Sequence, residues 1–582
     1  MRALRRLRRY FRRYAAAYAV GFGCLFFSNL LATLGPRFIQ TAIDSLIAHA
    51  WPAARMAAGW VAGLALAGGC LRFGMRYLLN GASRRVETDL RDDLFGHLIS
   101  LSAPFFQRLP VGDLMARATN DLLALRMVAG PAVMYLVDTT VRTIMIVPMM
   151  AMISPSLTLW ALLPTLGLPL VMTLLGGEVH RRSLAVQDQF GDISSFVQEH
   201  LAGVRVVRAY AQEDAETRTF HALDAGYQAR NMSLARAQGV FNPLLSLLGG
   251  IGAIITLVVG GRSVIDGRIS VGGFVAFGVY LATLVWPMIA LGWAISLLQR
   301  GDAATDRINA LFDASPDVND PVRPVELATA PAGRSVRFEA VWFRYPGEGA
   351  TPWALQDVAF EVAAGQVLGL VGATGSGKTT VIELLSRTYD PDRGRILIDG
   401  VDIRDLRIDE VRRAVGVVPQ ETFLFSETLR DNVLLGMPDD GRLEETARIA
   451  QLAAALPDLP NGWETMLGER GINLSGGQRQ RAAIARALVR QPSVLILDDA
   501  LSAVDARTEM EILTALEAAM AERTRIIVSH RFSAVRNADQ ILVLDEGRIV
   551  ERGTHDQLVA ATGRYTELLM KQELEESLEL QE

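Results

Sequence analysis

GATGSGKT, at residues 372–379, is the most informative stretch of this chain. It fits the pattern G-x4-G-K-[ST], in which backbone N–H groups and a lysine surround phosphate groups. Only two of the 58 basic residues are lysines, Lys378 and Lys571, so the chain keeps a lysine where this pattern requires one. An apolar run at 366–371 predicts a buried strand before the octapeptide, and Thr379 to Arg387 predicts a helix after it. We therefore predict a strand, a phosphate-binding loop and a helix, in that order.

The chain around the octapeptide alternates apolar runs with helical segments, which predicts a largely parallel α/β sheet. The runs are 366–371, 395–398, 494–497 and 525–528. The third run ends in Asp498, where a carboxylate is suited to hold Mg²⁺ through water while Thr379 binds it directly. Apolar strands that end in aspartate are common, so the specificity comes from the combination with the octapeptide.

A second glycine motif, LSGGQ at 474–478, opens an amphipathic helix over 479–490. A serine followed by two glycines presents a hydroxyl, bare backbone N–H groups and the positive end of the helix dipole, which together bind an anion. The alternative is an ordinary N-cap, and the motif alone favours that alternative.

The first half of the chain predicts a membrane domain. Half of all residues are hydrophobic and 21% are charged, and the formal net charge of −5 decides little. Stretches near the ~20 apolar residues that cross a bilayer recur six times. They are 15–40, 57–80, 128–153, 156–178, 241–265 and 271–298. Cys24 and Cys70 both lie in such stretches, so we expect neither disulfides nor a cysteine metal site.

Charge orients the predicted spans. Residues 1–14 contain seven arginines, whereas the loops 41–56, 154–156 and 262–270 contain one, none and two. By the positive-inside rule the N-terminus is cytoplasmic. A secretory signal peptide is the alternative, but five further spans follow and no small-residue cleavage site is evident.

Two long charged loops lie on the basic side, at 81–127 and 179–240, and predict helical hairpins that project into the cytoplasm. Their expected tips are 105–112 and 208–213, which mix aromatic, polar and turn residues. Such tips are suited to contact a cytosolic domain, and a solvated loop tip is the alternative.

Five motifs appear in an order that resembles the ATP-binding-cassette (ABC) half-transporters of exporter type, and the resemblance covers essentially all 582 residues. They are the octapeptide, Gln420 after Val417-Val418-Pro419, the 474–478 signature, the strand ending in Asp498, and His530. The resemblance implies a six-helix transmembrane domain with long cytoplasmic helical loops, followed by an α/β P-loop NTPase nucleotide-binding domain. The expected division is a transmembrane domain at 1–300, a linker at 301–334, the nucleotide-binding domain at 335–575 and an acidic tail at 576–582.

The same resemblance assigns site residues for ATP and Mg²⁺. The residues expected to bind the nucleotide are Tyr345, Gly372, Thr374, Gly375, Ser376, Gly377, Lys378, Thr379, Thr380, Ser475, Gly477 and Gln478. The residues expected to hold Mg²⁺ are Thr379, Gln420 and Asp498. The expected catalytic residues are Asp499, His530 and Gln420. Tyr345 would stack on adenine, although strand aromatics also pack in cores. Residues 502–505 resemble a loop that links two sites across a dimer, and 468–471 a coupling segment beside the signature. In the family two such domains close head to tail, so Ser475 and Gly477 would serve the partner's nucleotide.

Asp499 departs from the family pattern, which has a glutamate after the Mg²⁺ aspartate. The side chain is one methylene shorter, about 1.5 Å in reach, and a general base must lie ~2.6–3.2 Å from the proton that it takes. We therefore predict that ATP binds at this chain's loop and hydrolyses slowly or not at all.

The signature is intact, and this combination resembles the degenerate-site subunit of heterodimeric multidrug, lipid or peptide exporters, whose partner brings the glutamate. A homodimer with slow ATPase stays open, because the shorter acid can act through a bridging water. A regulatory, ATP-gated subunit also stays open. A soluble ATPase of DNA-repair type does not account for six apolar spans, so we expect no nucleic-acid partner.

The polar and aromatic residues of the spans allow either a structural role or a role in a cavity that holds cargo. Asp138 and Arg142 share a helix face and favour a structural pair. Arg72 and Arg76 either line a polar cavity or approach the cytoplasmic interface. Trp286 and Trp293 share a face that either stacks a planar cargo or packs against neighbouring helices. Four prolines predict kinked helices, and they are Pro148, Pro164, Pro169 and Pro287.

The sequence names no substrate. By resemblance we expect hydrophobic cargo of multidrug, lipid or peptide type, contact with membrane lipids, and alternating access driven by ATP. We expect a bacterial inner membrane, with the N-terminus and the nucleotide-binding domain in the cytoplasm. The acidic end at 573–582 predicts a solvated helix or tail.

Overall fold

The computed structural model describes residues 2–164, 167–328, 333–347, 351–468 and 471–579. The chain forms two compact units. The first contains Met1–Ile99 with Val111–Ala314, and the second contains Ser100–Pro110 with Ser315–Glu582.

The described part of the first unit is helical, and three π-helical turns at Arg117–Asp121, Val128–Ala132 and Thr256–Gly260 join neighbouring helices. Its helices are α1 Arg2–Arg13, α2 Ala15–Ile47, α3 Trp51–Ser100, α5 Val111–Ala116, α6 Leu122–Met127, α7 Val133–Ile153, α8 Pro155–Leu162, α9 Gly167–Ala202, α10 Val204–Ala209, α11 Glu213–Ile255, α12 Gly261–Ile265 and α13 Val271–Phe312; α4, Ala103–Arg108, belongs to the second unit.

Among the described residues, three helical stretches are long and apolar enough to cross a membrane, and two shorter apolar ones follow. The long ones are Ala15–Ile47, Trp51–Ser100 and Val111–Ile153, and the shorter ones are Gly250–Ile265 and Val271–Leu284. These five coincide with predicted spans. The remaining one, 156–178, is divided, because α8 ends at Leu162 and α9 begins at Gly167, with 165–166 outside the described residues.

The prediction of four kinking prolines was partly wrong. Pro148 and Pro287 do lie inside α7 and α13. Pro164 instead lies between α8 and α9, where a missing N–H ends a helix rather than bending it. Pro169 lies in the first turn of α9, where proline breaks no helical hydrogen bond.

The second long loop is a helical hairpin, as its pattern predicted, with its turn at 210–212 between α10 and α11. Side chains join α9 to α11 along its length. Arg182 Nη1 donates to Ser233 O at 2.9 Å, and Gln189 Nε2 donates to Leu223 O at 3.2 Å. Near the turn, His200 Nε2 lies 2.9 Å from Glu216 Oε2.

Residues 105–110 of the first loop's expected tip, 105–112, belong to the second unit, which includes α4. There Tyr389 Oη donates to Gln107 Oε1 at 3.1 Å, and Arg108 lies 3.8 Å from Asp317. This part of the tip therefore contacts the remainder of the second unit.

The second unit contains two sheets and the helices that pack on them. Its strands are β1 Val336–Phe343, β2 Leu355–Val362, β3 Val367–Gly372, β4 Arg393–Ile398, β5 Val401–Asp402, β6 Val415–Val418, β7 Val494–Asp498, β8 Thr524–Val528, β9 Gln540–Asp545 and β10 Arg548–Gly553. Its further helices are α14 Lys378–Leu385, α15 Ile408–Ala414, α16 Leu429–Leu434, α17 Arg442–Ile449, α18 Gly476–Val489, α19 Ala506–Ala519, α20 His555–Ala561 and α21 Arg564–Glu579, with 3-10 turns at Ala453–Asp458, Gly462–Glu464 and Phe532–Ala534.

The larger sheet has the order β10-β9-β3-β8-β7-β6 and is parallel except for the β9–β10 pair. The run 395–398 was wrongly predicted as a strand of this sheet. It forms β4 of a separate antiparallel sheet, β2-β1-β4-β5, where Phe338 pairs with Ile396. A short apolar run carries no information about its partner, so this choice depends on long-range packing.

Two expected boundaries fall inside helices. Helix α13 continues past residue 300 to Phe312, and α21 continues past 576 to Glu579. Residues 580–582 of the acidic end and 329–332 of the linker lie outside the described residues.

Candidate functional site

The octapeptide joins β3 to α14, as the sequence predicted, although the helix covers Lys378–Leu385 rather than 379–387. Gly377 is the N-cap of α14 with φ +106°, a conformation that favours glycine. A Cβ there would lie 2.7 Å from Leu355 Cδ2 and 2.8 Å from Ala354 O. The loop therefore requires glycine for both its conformation and its close packing.

Lys378 folds back over this loop. Its Nζ donates to Gly372 O at 2.8 Å and to Ala373 O at 2.9 Å, and burial lowers the pKa of the ammonium. Ser376 Oγ is buried without a hydrogen-bond partner among the described residues. A buried ammonium held only by carbonyls and an unpaired hydroxyl both fit a phosphate group.

A cavity of about 350 Å³ opens over the loop and brings most of the predicted site residues together. It is lined by Tyr345, Ala354, Thr374, Gly375, Gly377, Lys378, Thr379, Thr380, Gln420, Asp498, Asp499, Val528 and His530.

The predicted metal ligands Thr379, Gln420 and Asp498 all line this cavity. Thr379 Oγ1 lies 3.5 Å from Asp498 Oδ2. Burial, and then the charge of Asp499, raise the pKa of Asp498 to about 6. A buried carboxylate beside a hydroxyl suits a hard cation, which lowers the cost of ionising the acid.

Asp499 follows β7 in a left-handed conformation, with φ +47°. Its Oδ2 accepts from Gln420 Nε2 at 3.4 Å, and its Oδ1 accepts from the backbone N of His530 at 3.5 Å. Burial, followed by the charge of Lys378, lowers the pKa of His530, so its ring is neutral near pH 7. The three predicted catalytic residues are therefore neighbours.

Tyr345 lines the cavity and is also packed. Its hydroxyl donates to Glu383 Oε2 at 2.6 Å and lies 2.9 Å from Thr380 Oγ1, while its ring meets Phe343 and Tyr389 edge-on. Burial raises the pKa of this phenol. Both readings of Tyr345, a cavity wall and a core aromatic, therefore describe part of its environment.

The signature residues do not line this cavity. Ser475 is the N-cap of α18, where its Oγ accepts from Gln478 N at 3.2 Å and its N donates to Gln478 Oε1 at 2.8 Å. These hydrogen bonds confirm that Ser475 is an N-cap, the alternative that the motif alone favoured. Gly477 is packed against the 502–505 loop, since a Cβ there would lie 3.0 Å from Ala503 O.

Three residues that sequence reasoning missed hold the 502–505 loop. Gln480 Nε2 donates to Ser502 Oγ at 3.0 Å, and its Oε1 accepts from Ala503 N at 2.9 Å. On the other side Arg531 Nη1 donates to Val504 O at 3.2 Å and pairs with Glu509. In the sequence, the only indication of these three residues was the position of Arg531 next to His530. Of the predicted coupling segment 468–471, residues 469–470 lie outside the described residues.

In the first unit, Asp138 and Arg142 do pair, at 3.4 Å, and Asn29 joins them. Asn29 Nδ2 donates to Asp138 Oδ1 at 2.7 Å, and Arg142 Nη2 donates to Asn29 Oδ1 at 3.1 Å. The group binds α2 to α7, and nothing in the sequence identified Asn29.

The remaining polar residues of the spans also have defined positions. Arg72, Arg76 and Trp286 line a cavity beside that group. Trp293 packs on Tyr135, with ring centroids 5.1 Å apart.

Two protein families match the chain. The ABC transporter transmembrane region matches residues 18–288, and the ABC transporter family matches residues 355–502.

Several named proteins are similar to this chain over nearly their full length. A probable multidrug resistance ABC transporter ATP-binding/permease protein, YheI of Bacillus subtilis strain 168, is 39% identical over 98% of each chain. The multidrug resistance-like ATP-binding protein MdlA of Escherichia coli K12 is 36% identical over 100% of this chain and 98% of its own. An ATP-dependent lipid A-core flippase of Syntrophus aciditrophicus is 32% identical over 98% of this chain and 94% of its own.

A solved structure is also similar. It is that of a bacterial Atm1-family ABC exporter with ATP bound, which aligns with a TM-score of 0.77 and 26% identity over 97% of this chain and 98% of that one.

Proposed function

Because the chain belongs to the ABC transporter family and has the fold of its exporters, we propose that it exports hydrophobic or amphipathic molecules by alternating access. It is an ATP-hydrolysing transport protein of the membrane, with several spans. Relatives named for multidrug resistance and for lipid A flipping support drug-like or lipid-like cargo. We place it in a bacterial inner membrane, with the transmembrane domain at 1–300, linker at 301–334, nucleotide-binding domain at 335–575 and tail at 576–582.

The residues over the phosphate loop have proposed roles in holding ATP. Lys378 would exchange the carbonyls of Gly372 and Ala373 for phosphate oxygens, and the backbone N–H groups of 374–380 would surround the same phosphates. Tyr345 would form the wall against the adenine.

Mg²⁺ would be held by Thr379, Gln420 and Asp498, because all three line the cavity and the Thr379 hydroxyl lies beside the Asp498 carboxylate. When bound, the ion supplies positive charge that offsets the charge of the phosphates. Asp498 would have to be ionised to hold it.

The proposal that the pump has two unequal ATP sites rests on Asp499. Its carboxylate is engaged by Gln420 and by the backbone of His530, and it is one methylene shorter than the glutamate of the family pattern. A misplacement of 1 Å can cost about 100-fold in rate. We infer slow hydrolysis or none at this chain's own loop.

The intact signature supports a different partner chain. Ser475 and Gly477 do not line the cavity over this chain's phosphate loop, which supports a role for them in a second nucleotide site formed with another chain. We propose that this chain is the degenerate-site half of a heterodimer whose partner carries the catalytic glutamate. A homodimer with slow ATPase is the second candidate, because Gln420, Asp499 and His530 are all neighbours in this chain.

The test is the composition of the native complex. The tagged chain is purified gently from its own membranes and weighed by native mass spectrometry. We expect a 1:1 complex with a second half-transporter that has glutamate after its Mg²⁺ aspartate. A dimer of identical chains would overturn the heterodimer and leave the slow homodimer.

Transport is tested separately. The same complex, reconstituted in vesicles, should move a hydrophobic dye only with ATP and Mg²⁺. A complex that hydrolyses ATP but moves no dye would favour the regulatory, ATP-gated alternative.

A further inference from the structure

The first unit contains a second polar cavity, of about 150 Å³, that is separate from the ATP site. It lies between α2, α3, α7 and α13. Its charged side chains are Arg72, Arg76, Asp138 and Arg142. All four lie in predicted membrane spans, where charged groups are costly and usually functional.

The charges of this cavity do not balance. Asp138 is already engaged, because it accepts from Asn29 at 2.7 Å and pairs with Arg142 at 3.4 Å. Among the described residues no hydrogen bond or ion pair reaches the guanidinium of Arg72 or Arg76. Both are exposed and lie four residues apart on one face of α3. The cavity therefore has two uncompensated positive charges.

The other walls are apolar or aromatic. Leu25, Met75 and Met134 are buried, and Trp286, a residue that is 56% exposed, forms an aromatic wall. A ligand that suits both surfaces has an acidic group for the guanidinium pair and an apolar or aromatic body for the rest. Guanidinium groups bind planar or tetrahedral oxyanions in a bidentate manner.

We propose that this cavity binds the acidic group of an amphipathic anion, through Arg72 and Arg76. This assignment rests on the proposed export function and narrows its cargo to amphiphiles with a carboxylate, sulfonate or phosphate group. Asp138 and Arg142 position the cavity, since their pair with Asn29 binds α2 to α7.

The test compares two probes that differ by one group. They are 8-anilinonaphthalene-1-sulfonate and N-phenyl-1-naphthylamine, which has the same rings without the sulfonate. Each is titrated into the native complex in phosphatidylcholine nanodiscs, and the fluorescence above empty nanodiscs is measured. The variants are the double change Arg72→Gln with Arg76→Gln, and Arg84→Gln, an exposed arginine on the same helix that does not line the cavity.

We expect the double variant to bind the sulfonate at least about tenfold more weakly and the neutral probe within about twofold of the parent. Arg84→Gln should change neither. Equal weakening for both probes, the same loss in Arg84→Gln, or no loss at all would overturn the assignment. Retained binding of the neutral probe shows that the double variant is folded.

Two further experiments distinguish a lipid from cargo as the ligand of the cavity, and failure of the anion site from failure of the export function. Added phosphatidylglycerol that displaces the sulfonate identifies a lipid headgroup as an occupant; without displacement, the occupant is cargo. In vesicles, no ATP-dependent movement of either probe overturns the export function itself. If the neutral probe moves with ATP and the arginine variants bind the sulfonate normally, the anion site alone is wrong.

Discussion

Asp499 is the site residue that departs from the family pattern, since it stands where that pattern has a glutamate one methylene longer. The residue before it, Asp498, is buried beside Thr379, whereas Asp499 is turned by its positive φ toward Gln420 and the backbone of His530. Most of the residues that we propose hold the phosphates and Mg²⁺ line one cavity, and Asp499 lines the same cavity.

Asp499→Glu is predicted to accelerate hydrolysis at this chain's own loop by about 100-fold, because the longer side chain restores the reach of the base. The measurement is single-turnover hydrolysis in the proposed heterodimer, with the catalytic glutamate of the other half-transporter replaced by glutamine. Asp409→Glu, the same change at an exposed position of α15, is the matched control. An unchanged rate in Asp499→Glu would show that reach is not what limits the site.

At the scale of elements, the 502–505 loop connects the cavity over the phosphate loop with α18, the helix that begins within the signature. Arg531 follows His530 and bonds to Val504, while Gln480 on α18 bonds to Ser502 and Ala503. His530, which lines the cavity over the phosphate loop, is thus linked through Arg531 and the 502–505 loop to α18, which begins within the signature.

Arg531→Gln is predicted to lower kcat of the complex about tenfold and to leave the KM for ATP within about twofold, because the loop moves but the phosphate contacts remain. Steady-state ATPase assays of the complex measure both. Arg507→Gln, which removes a largely exposed arginine paired with Glu511, is the control. A rise in KM without a fall in kcat would place Arg531 in nucleotide binding instead.

Near the turn of the α9–α11 hairpin, a titratable histidine, His200, joins α9 to Glu216 of α11. His200 Nδ1 bonds to Phe196 O at 2.7 Å and Nε2 lies 2.9 Å from Glu216. The carbonyl of Phe196, and then Glu216 and Glu199, raise the pKa of His200 above its ordinary 6.5. A raised folded-state pKa contributes stability that is fully present below the unfolded value and is lost as pH rises through the folded value.

The turn is therefore predicted to be better protected at pH 6 than at pH 8. Hydrogen-exchange mass spectrometry, corrected for the intrinsic pH dependence of exchange, measures the protection factors of 196–216. His200→Gln should remove the difference, whereas His221→Gln, on the same helix as Glu216, should leave it. Equal protection of the parent at both pH values would contradict the prediction.

At the scale of the whole molecule, the separation of Ser475 and Gly477 from the P-loop cavity predicts that the chain acts only in a pair. Gly477→Asp is expected to reduce ATPase of the complex by at least about 100-fold, because it adds a negative charge where an anion would bind. The loop at Ala503 also leaves little space for its Cβ.

The control for this change is nucleotide binding at the chain's own loop. Photolabelling of this chain by an ATP analogue should be unchanged in Gly477→Asp. Loss of labelling together with activity would mean that the signature serves this chain's own site.

The sequence alone determined the parts whose signal is local. The 372–379 motif, the 474–478 motif and the apolar spans depend on spacing and period within one segment, so the family, the fold class and most of the cavity lining could be predicted. The fourth span and the boundaries of α14 were less well predicted, because helix ends depend on prolines and caps within one turn.

Only the tertiary structure decided which distant groups became partners. β4 joined the antiparallel sheet, Asn29 completed the Asp138–Arg142 pair, and Gln480 and Arg531 met on one loop. It also placed Arg72 and Arg76 beside Trp286. A polar side chain or a short apolar run fits many partners equally well, and the choice follows from packing between elements far apart in the chain, which local spacing does not encode.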